Sequence, residues 1–501
     1  MSVATADPLL ESSKLLQEAE QLRQQRQFVR AQSICESLLD RYPDYMGALH
    51  TLGLIFADQN NYEQALDCLV RAAMLNAQSC TTLIALGSVY MRLGAHEMAE
   101  RTLKQAQSIK PDDPHVLVAL GDLYREQREY ELACDVYRRA LALDSSLTSA
   151  AIGLAWYYKN IGAYAEAAAI FEDLIRRGMR LLEPIRGLAN LPASVVKLDL
   201  LAALENVAQE PGEDKHVFEA SILFFKAVAL DRAGRYSEAW KHLVQANRMV
   251  FARAQKSIPQ LSELRRASLA SLRAYRARSA DNDGRYPISL FILGPSGCGK
   301  TSMEELADMF DAVKRGYENP IVENAVRRAS QTSNLLTISL LKHLPPQLYP
   351  VYREIYLNGL AQRVGSRKVF TNTLSTCIHD AAHIASVLPN VRFVFLKRNM
   401  EDNLLRIFMR NYTSGNPYAF DLKAAREHVL WFNEMIDLIT EKFPAIARVV
   451  RYEDMTNNPT GALRVIADLC GLPMPSKPPS ISGDVDCAAP YRKLIAAELE
   501  S

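Results

Sequence analysis

Tyr286-Pro-Ile-Ser-Leu-Phe-Ile-Leu-Gly294-Pro-Ser-Gly-Cys-Gly299-Lys300-Thr301-Ser302 decides how the second half of the chain is read. An apolar run breaks into a glycine-rich loop, and a helix-forming run follows from Ser302 to Asp311. Glycines at 294, 297 and 299 let backbone N–H groups curl around an anion, while the following helix points its positive end at the same spot. Gly294 to Thr301 also fits the G-x-x-x-x-G-K-[ST] spacing, which sets the Lys300 ammonium beside a bound phosphate. The candidate phosphate-binding set is therefore Gly294, Ser296, Gly297, Cys298, Gly299, Lys300, Thr301 and Ser302. A phosphorylated small molecule is the expected ligand.

Downstream, short apolar runs at Arg367 to Asn372, Val391 to Lys397 and Ala447 to Tyr452 alternate with helical segments. That alternation predicts a mainly parallel sheet covered by helices, with ligands at the carboxyl ends of the strands, in an α/β domain over 286–501. Upstream, Ser279 to Arg285 is a polar, turn-rich linker. The Arg/Lys-rich stretch before it, Arg265 to Arg278, is expected to be a solvated helix.

The first half carries a 34-residue period. Gly53, Gly87 and Gly121 recur at that interval, each preceded by leucine, with Phe56, Tyr90 and Tyr124 three residues later. Ala65, Ala99, Ala133 and Ala167 keep the same interval, and Leu69, Leu103, Tyr137 and Phe171 follow four residues on. Small residues where two helices cross, and large ones filling the space between, resemble tetratricopeptide repeats. The expected organisation is a repeat array over 1–180. A helical spacer over 181–280 contains a further repeat at 216–250 and a linker helix. Such an array forms an all-α superhelix whose concave side grips a peptide or protein.

Composition narrows the function classes. A formal net charge of +1 gives no overall pull toward nucleic acid or membrane, and no apolar run is long enough to span a bilayer. Met1 to Pro8 has neither the basic segment nor the apolar core of a signal peptide. The eight cysteines show no C-x-x-C spacing, so reduced structural thiols in a cytoplasmic protein are expected, with Cys298 a small filler in the loop. His379 and His383 are four apart with Asp380 between them, but no third ligand stands at a fitting spacing and no metal is assigned.

Four ordered segments carry a wider resemblance: Leu388 to Asp402, Asn411 to Leu422, Val450 to Asp454 and Asp468 to Pro473. With the repeats, they resemble bacterial sulfotransferases that carry N-terminal tetratricopeptide repeats, relatives of the protein-tyrosine sulfotransferases. The resemblance implies 3′-phosphoadenosine 5′-phosphosulfate as donor and a protein or glycan hydroxyl as acceptor, presented by the repeats. It lays the family's phosphosulfate loop over Ser296 to Thr301, in an unusual Walker-A-like form. Arg398 falls on the arginine that grips the 3′-phosphate, and Arg406 takes the place of a serine with the same task. Glu318, in Gly316-Tyr-Glu-Asn-Pro320, falls on the general base, a role that suits a glutamate buried near the loop. Glu318 and Lys300 are thus the implied catalytic pair.

The chain also departs from that family. Gly297 stands where the loop has arginine, Thr373 where a lysine is usual, and no Gly-Arg-Trp segment follows Asp486. Two cations near the transferring group are absent, and Lys300 adds one. Two other readings remain open. One is a catalytically inactive nucleotide-binding scaffold for protein–protein interaction. The other is a P-loop kinase or ATPase using ATP (or GTP) with magnesium. The latter needs an acidic residue after a second strand, for which Glu453 and Asp454 are the candidates.

Overall fold

The structure, a computed structural model, describes residues 8–209, 214–276, 280–332, 338, 340–412, 415–481 and 483–500. It divides into two compact units, Met1–Lys215 and His216–Ser501.

Among the described residues, the first unit is all helical. Met46–Asp58 with Tyr62–Leu75, Cys80–Arg92 with His96–Ile109, Pro114–Glu126 with Tyr130–Leu143, and Thr148–Asn160 with Tyr164–Arg176 form successive hairpins. The 34-residue period has a steric cause. A Cβ on Gly53 would lie 2.6 Å from Leu69, on Gly87 2.7 Å from Leu103, and on Gly121 2.5 Å from Tyr137. Each pair of helices approaches too closely for any side chain at that position. Ala65, Ala99, Ala133 and Ala167 line the same crossings and are at most 1% exposed. The series continues past residue 180, since Gly187 in helix Leu182–Ala189 meets the Phe171 ring in the same way.

The second unit is built on a five-stranded parallel sheet of β1 (Ile288–Leu293), β2 (Val313–Lys314), β3 (Val369–Asn372), β4 (Val391–Lys397) and β5 (Ala447–Arg451), in the order β2-β3-β1-β4-β5. The sheet is covered on both faces, as the period-2 pattern of its strands requires. Phe291, Leu293, Phe393 and Phe395 face one apolar cluster with Leu360 and Trp431, while Leu290, Ile292, Val394 and Leu396 face another with Val450 and Leu463. β2 has only two residues, too short to leave a periodic signal in sequence. Helices Lys215–Arg232 and Tyr236–Ala254, the repeat-like pair at 216–250, pack Phe224, Trp240 and Leu243 against Leu404, Phe408 and Tyr491. Asn247 Nδ2 donates to the Phe408 carbonyl at 2.9 Å, fixing that contact.

The stretch from Arg265 corrects an expectation. Helix Ile258–Ala274 is not simply solvated: Arg265 is 5% exposed, Trp431 Nε1 donates to its carbonyl, and its Nε and Nη2 have no partner. Arg265, Ser268 and Leu272 lie on one helical face and turn into the second unit, which a local count of charges does not reveal.

Candidate functional site

The loop after β1 folds as its glycines dictate. Gly297 and Gly299 adopt φ of +77° and +99°, the left-handed region, and Gly299 caps the helix Lys300–Ala307. A Cβ on Gly297 would lie 2.8 Å from Arg406 Cβ, and one on Gly299 would collide with the Tyr452 ring. The peptide groups of the loop are thus locked between two neighbours. Cys298 is wholly buried in the apolar cluster behind the loop, and burial pushes its thiol pKa up. Lys300 Nζ and Ser375 Oγ both donate to the Gly294 carbonyl at 3.3 Å. Asn403 Nδ2 donates to the Ser296 carbonyl, and Ser296 Oγ bonds the Tyr412 hydroxyl. Thr301 is exposed and Ser302 half-buried in the first turn.

Arg398 and Arg406 meet on one side of this loop. Arg398 leaves the end of β4, and Arg406 follows eight residues later, in the last turn of the helix Met400–Phe408. Arg398 Nη1 donates to the Gly297 carbonyl at 3.0 Å, and its guanidinium lies 4.1 Å from the Tyr452 ring centre. Its Nη2 reaches Asp484 Oδ1 at 3.0 Å, and Arg406 pairs with the same carboxylate. Tyr452 also donates to Asp484 Oδ1, at 2.7 Å. The stretch from Gly483 closes over the loop and brings an anion, Asp484, to the two arginines.

Glu318 departs from the expected burial: its side chain is exposed. The cause is the turn that carries it. Tyr317 takes a φ of +56° and donates its N–H to Glu304 Oε1, so Glu318 points outward. It still flanks the loop. Burial above all pushes the Tyr412 phenol pKa up, and the negative charge of Glu318 adds to that shift. Glu304, only 1% exposed, braces the turn from beneath. It accepts from Thr371 Oγ1 as well as Tyr317 N and has Arg315 at 3.5 Å, while Thr371 Oγ1 in turn accepts the Gly316 N–H. Burial pushes the Glu304 pKa up, with Arg315 opposing. Sequence reasoning passed over Glu304, Asn403, Tyr412 and Asp484. Glu304 alone left a signal, an acid in phase with buried Met303 and Ala307.

The other candidates disperse. Thr373, at the expected lysine position, is buried at 5% exposure, and its N–H donates to the Tyr317 carbonyl. Glu453 Oε1 accepts the Asn399 N–H at 2.8 Å, at the start of the Arg406 helix, and Asp454 is exposed. His379 bonds Ser268 Oγ and stacks on Trp431, whereas His383 packs edge-on against Tyr275, so the two rings face different neighbours. In the repeat unit a cavity of ≈ 860 Å³ is bordered by His50, Tyr62, Ser79, Ile84, Arg92 and His115.

Residues 290–476 match the sulfotransferase family, residues 47–79 the tetratricopeptide repeat, and residues 92–144 YpiA-like tetratricopeptide repeats. No curated protein matches the chain. Among solved structures, a tetratricopeptide repeat protein from Parabacteroides merdae is 21% identical over 48% of this chain and 93% of its own, with a TM-score of 0.36. A thermophilic repeat protein from Thermus thermophilus is 20% identical over 36% and 97%, with a TM-score of 0.33. At those scores neither likeness carries a functional argument. One chain thus joins tetratricopeptide repeats, matched within residues 47–144, to a domain of the sulfotransferase family, matched over residues 290–476.

Proposed function

We propose that the second unit moves a sulfuryl group from 3′-phosphoadenosine 5′-phosphosulfate to a hydroxyl of a protein or glycan that the repeats present. The observation that carries this reading is the meeting of Arg398 and Arg406 on one carboxylate beside the glycine loop. A carboxylate bound by two guanidiniums is a stand-in for a phosphate oxyanion, and the loop glycines let Arg406 and Tyr452 pack directly against the loop backbone and fix its peptide groups. The residues therefore fit the donor. No helix among the described residues is long and apolar enough to cross a membrane, and all eight cysteines are free, in keeping with a cytoplasmic setting.

When bound, the donor supplies the sulfuryl group and departs as adenosine 3′,5′-bisphosphate. The amides from Gly297 to Thr301 and the Lys300 ammonium hold the 5′ end and neutralise charge on the leaving oxygen. Arg398 and Arg406 hold the 3′-phosphate. Glu318 takes the proton from the acceptor hydroxyl as its oxygen bonds to sulfur. The exposed position of Glu318 suits an acceptor that arrives from outside and covers it on binding.

The test is transfer of radiolabelled sulfuryl from the donor into acceptors of a cell lysate. Glu318→Gln is expected to lower transfer by at least about 100-fold, the scale of a lost general base, while bisphosphate affinity stays within about twofold. Normal turnover in that variant removes Glu318 from the mechanism. One observation favours a second reading, a nucleotide-binding scaffold without catalysis: Asp484 already occupies both arginines. Bisphosphate binding with no labelled acceptor would select that scaffold.

A further inference from the structure

We infer that Asp484 is an internal surrogate for the donor's 3′-phosphate, so that the tip Gly483–Val485 must release Arg398 and Arg406 before a donor can seat. The inference rests on the donor reading above and adds a closing step to it.

Three observations point the same way. First, the carboxylate is held as a ligand would be: Arg398 Nη2, Arg406 and the Tyr452 hydroxyl converge on it, and Arg398 Nη2 also takes the Asp484 carbonyl at 2.7 Å. Second, the surrogate is incomplete. Arg398 is 7% exposed, and its Nε is buried without a partner, because a carboxylate at this angle engages only one arm of the guanidinium fork. A buried donor left unpaired is costly, and a phosphate, with three oxygens, can take both Nε and Nη2. Charge alone does not separate the two ligands, since Asp402 Oδ2 also stands 3.9 Å from Arg398 Nη2; the unpaired Nε does. The arginine pair is thus better matched to the absent ligand than to the residue now on it.

Third, the segment is built to let go only at its tip. Asp402, 2% exposed, accepts the N–H groups of Asp486 and Ala488 at 2.8 Å, and Tyr491 donates to Asp231 at 2.7 Å. These bonds anchor the stretch from residue 486 onward, to which Arg398 adds only a weak contact from Nη2 to Cys487 Sγ at 3.5 Å. Val485, between anchor and tip, is 40% exposed and holds little in place. Asp484 can therefore swing off the arginines while the rest of the segment stays docked. In that arrangement one carboxylate sets donor affinity and keeps two arginines paired when no donor is present.

Calorimetry on the full chain with adenosine 3′,5′-bisphosphate, and with adenosine 5′-monophosphate as the probe lacking a 3′-phosphate, tests this. Asp484→Asn is expected to bind the bisphosphate at least about tenfold more tightly than the unaltered chain, with monophosphate affinity changed less than about twofold. Tyr452→Phe keeps the ring under Arg398 but drops the hydroxyl, and is expected to tighten bisphosphate binding by about two- to threefold. Hydrogen exchange should show the amides of 483–485 speeding up when bisphosphate binds, while those of Asp486 and Ala488 stay protected. Equal bisphosphate affinity in all three proteins, or weaker binding by Asp484→Asn, overturns the surrogate and leaves the donor reading standing. Failure of every protein to bind bisphosphate overturns both. An equal gain for monophosphate shows a general loss of negative charge and also rejects the surrogate.

Discussion

The two units bury different chemistry. Among the described residues, the repeat unit buries one charged side chain, Glu172, and satisfies it with the Lys197 and Leu198 N–H groups and Arg176. The second unit buries Arg265, Glu304, Arg315, Asp380, Arg398, Asp402 and His428. A fold that needs only stability can be assembled from alanine, leucine and glycine at helix crossings, as the repeats are. Buried charge is expensive without partners, so the pairing of Arg398 with Asp402 and Asp484 beside the loop, and of Glu304 with Arg315 beneath the neighbouring turn, marks where the molecule handles a charged ligand. Stability in the first unit should depend on shape, and in the second on electrostatics as well.

The largest effect that sharpens this contrast is expected at Glu304. Glu304→Ala strands Arg315 in the interior and frees the Gly316–Glu318 turn. It should cost the second unit about 3–5 kcal/mol, the usual penalty for removing one partner of a buried pair. Urea unfolding followed through Trp240 and Trp431 reads it, and the Trp156 transition of the repeat unit should not move. A loss shared by both transitions would break the contrast.

Next comes acid sensitivity. Burial first, then the Lys342 and Arg265 charges, pull the His379 pKa down to about 4. The unfolded ring titrates near the ordinary value, so the unfolded state binds more protons between the two. Stability is therefore full above about pH 6.5 and lost as pH falls toward about 4, by up to about 3 kcal/mol. Glu304 and Asp380, whose pKa values burial raises, act in the opposite sense, so the comparison must be internal. The stability difference between the unaltered chain and His379→Gln should change by that amount between pH 7 and pH 4. A flat difference would show that His379 is not held neutral.

The smallest effect belongs to the repeats. Gly121→Ala adds a methyl group 2.5 Å from Tyr137, an overpacking cost of about 1–3 kcal/mol, from which the better helix propensity of alanine recovers up to about 1. The net loss should appear in the Trp156 transition alone, with bisphosphate binding unchanged.

The same contrast explains what the sequence makes legible. The repeats announce themselves because each crossing repeats the same small and large residues 34 positions apart. Four strands are visible as apolar runs; β2 is not, since two residues carry no period. At the site, the loop and Arg398 follow from local patterns. Glu318 lies in the expected turn, yet its exposure depends on a hydrogen bond from Tyr317 to Glu304. Asp484 is separated from Arg398 by 86 residues and lies in a stretch with no recognisable motif, so only the folded chain brings them together. Charge pairs formed across such distances leave no periodic trace.

On the proposed reading, Arg398, Arg406 and the glycine loop form a receptacle for an adenosine donor phosphorylated at the 3′ position. Isothermal titration of the full chain with adenosine 3′,5′-bisphosphate, set against ATP with Mg²⁺, tests it most directly. The bisphosphate is expected to bind without metal and at least about tenfold more tightly. Tight binding of ATP that depends on Mg²⁺, with no binding of the bisphosphate, would contradict it.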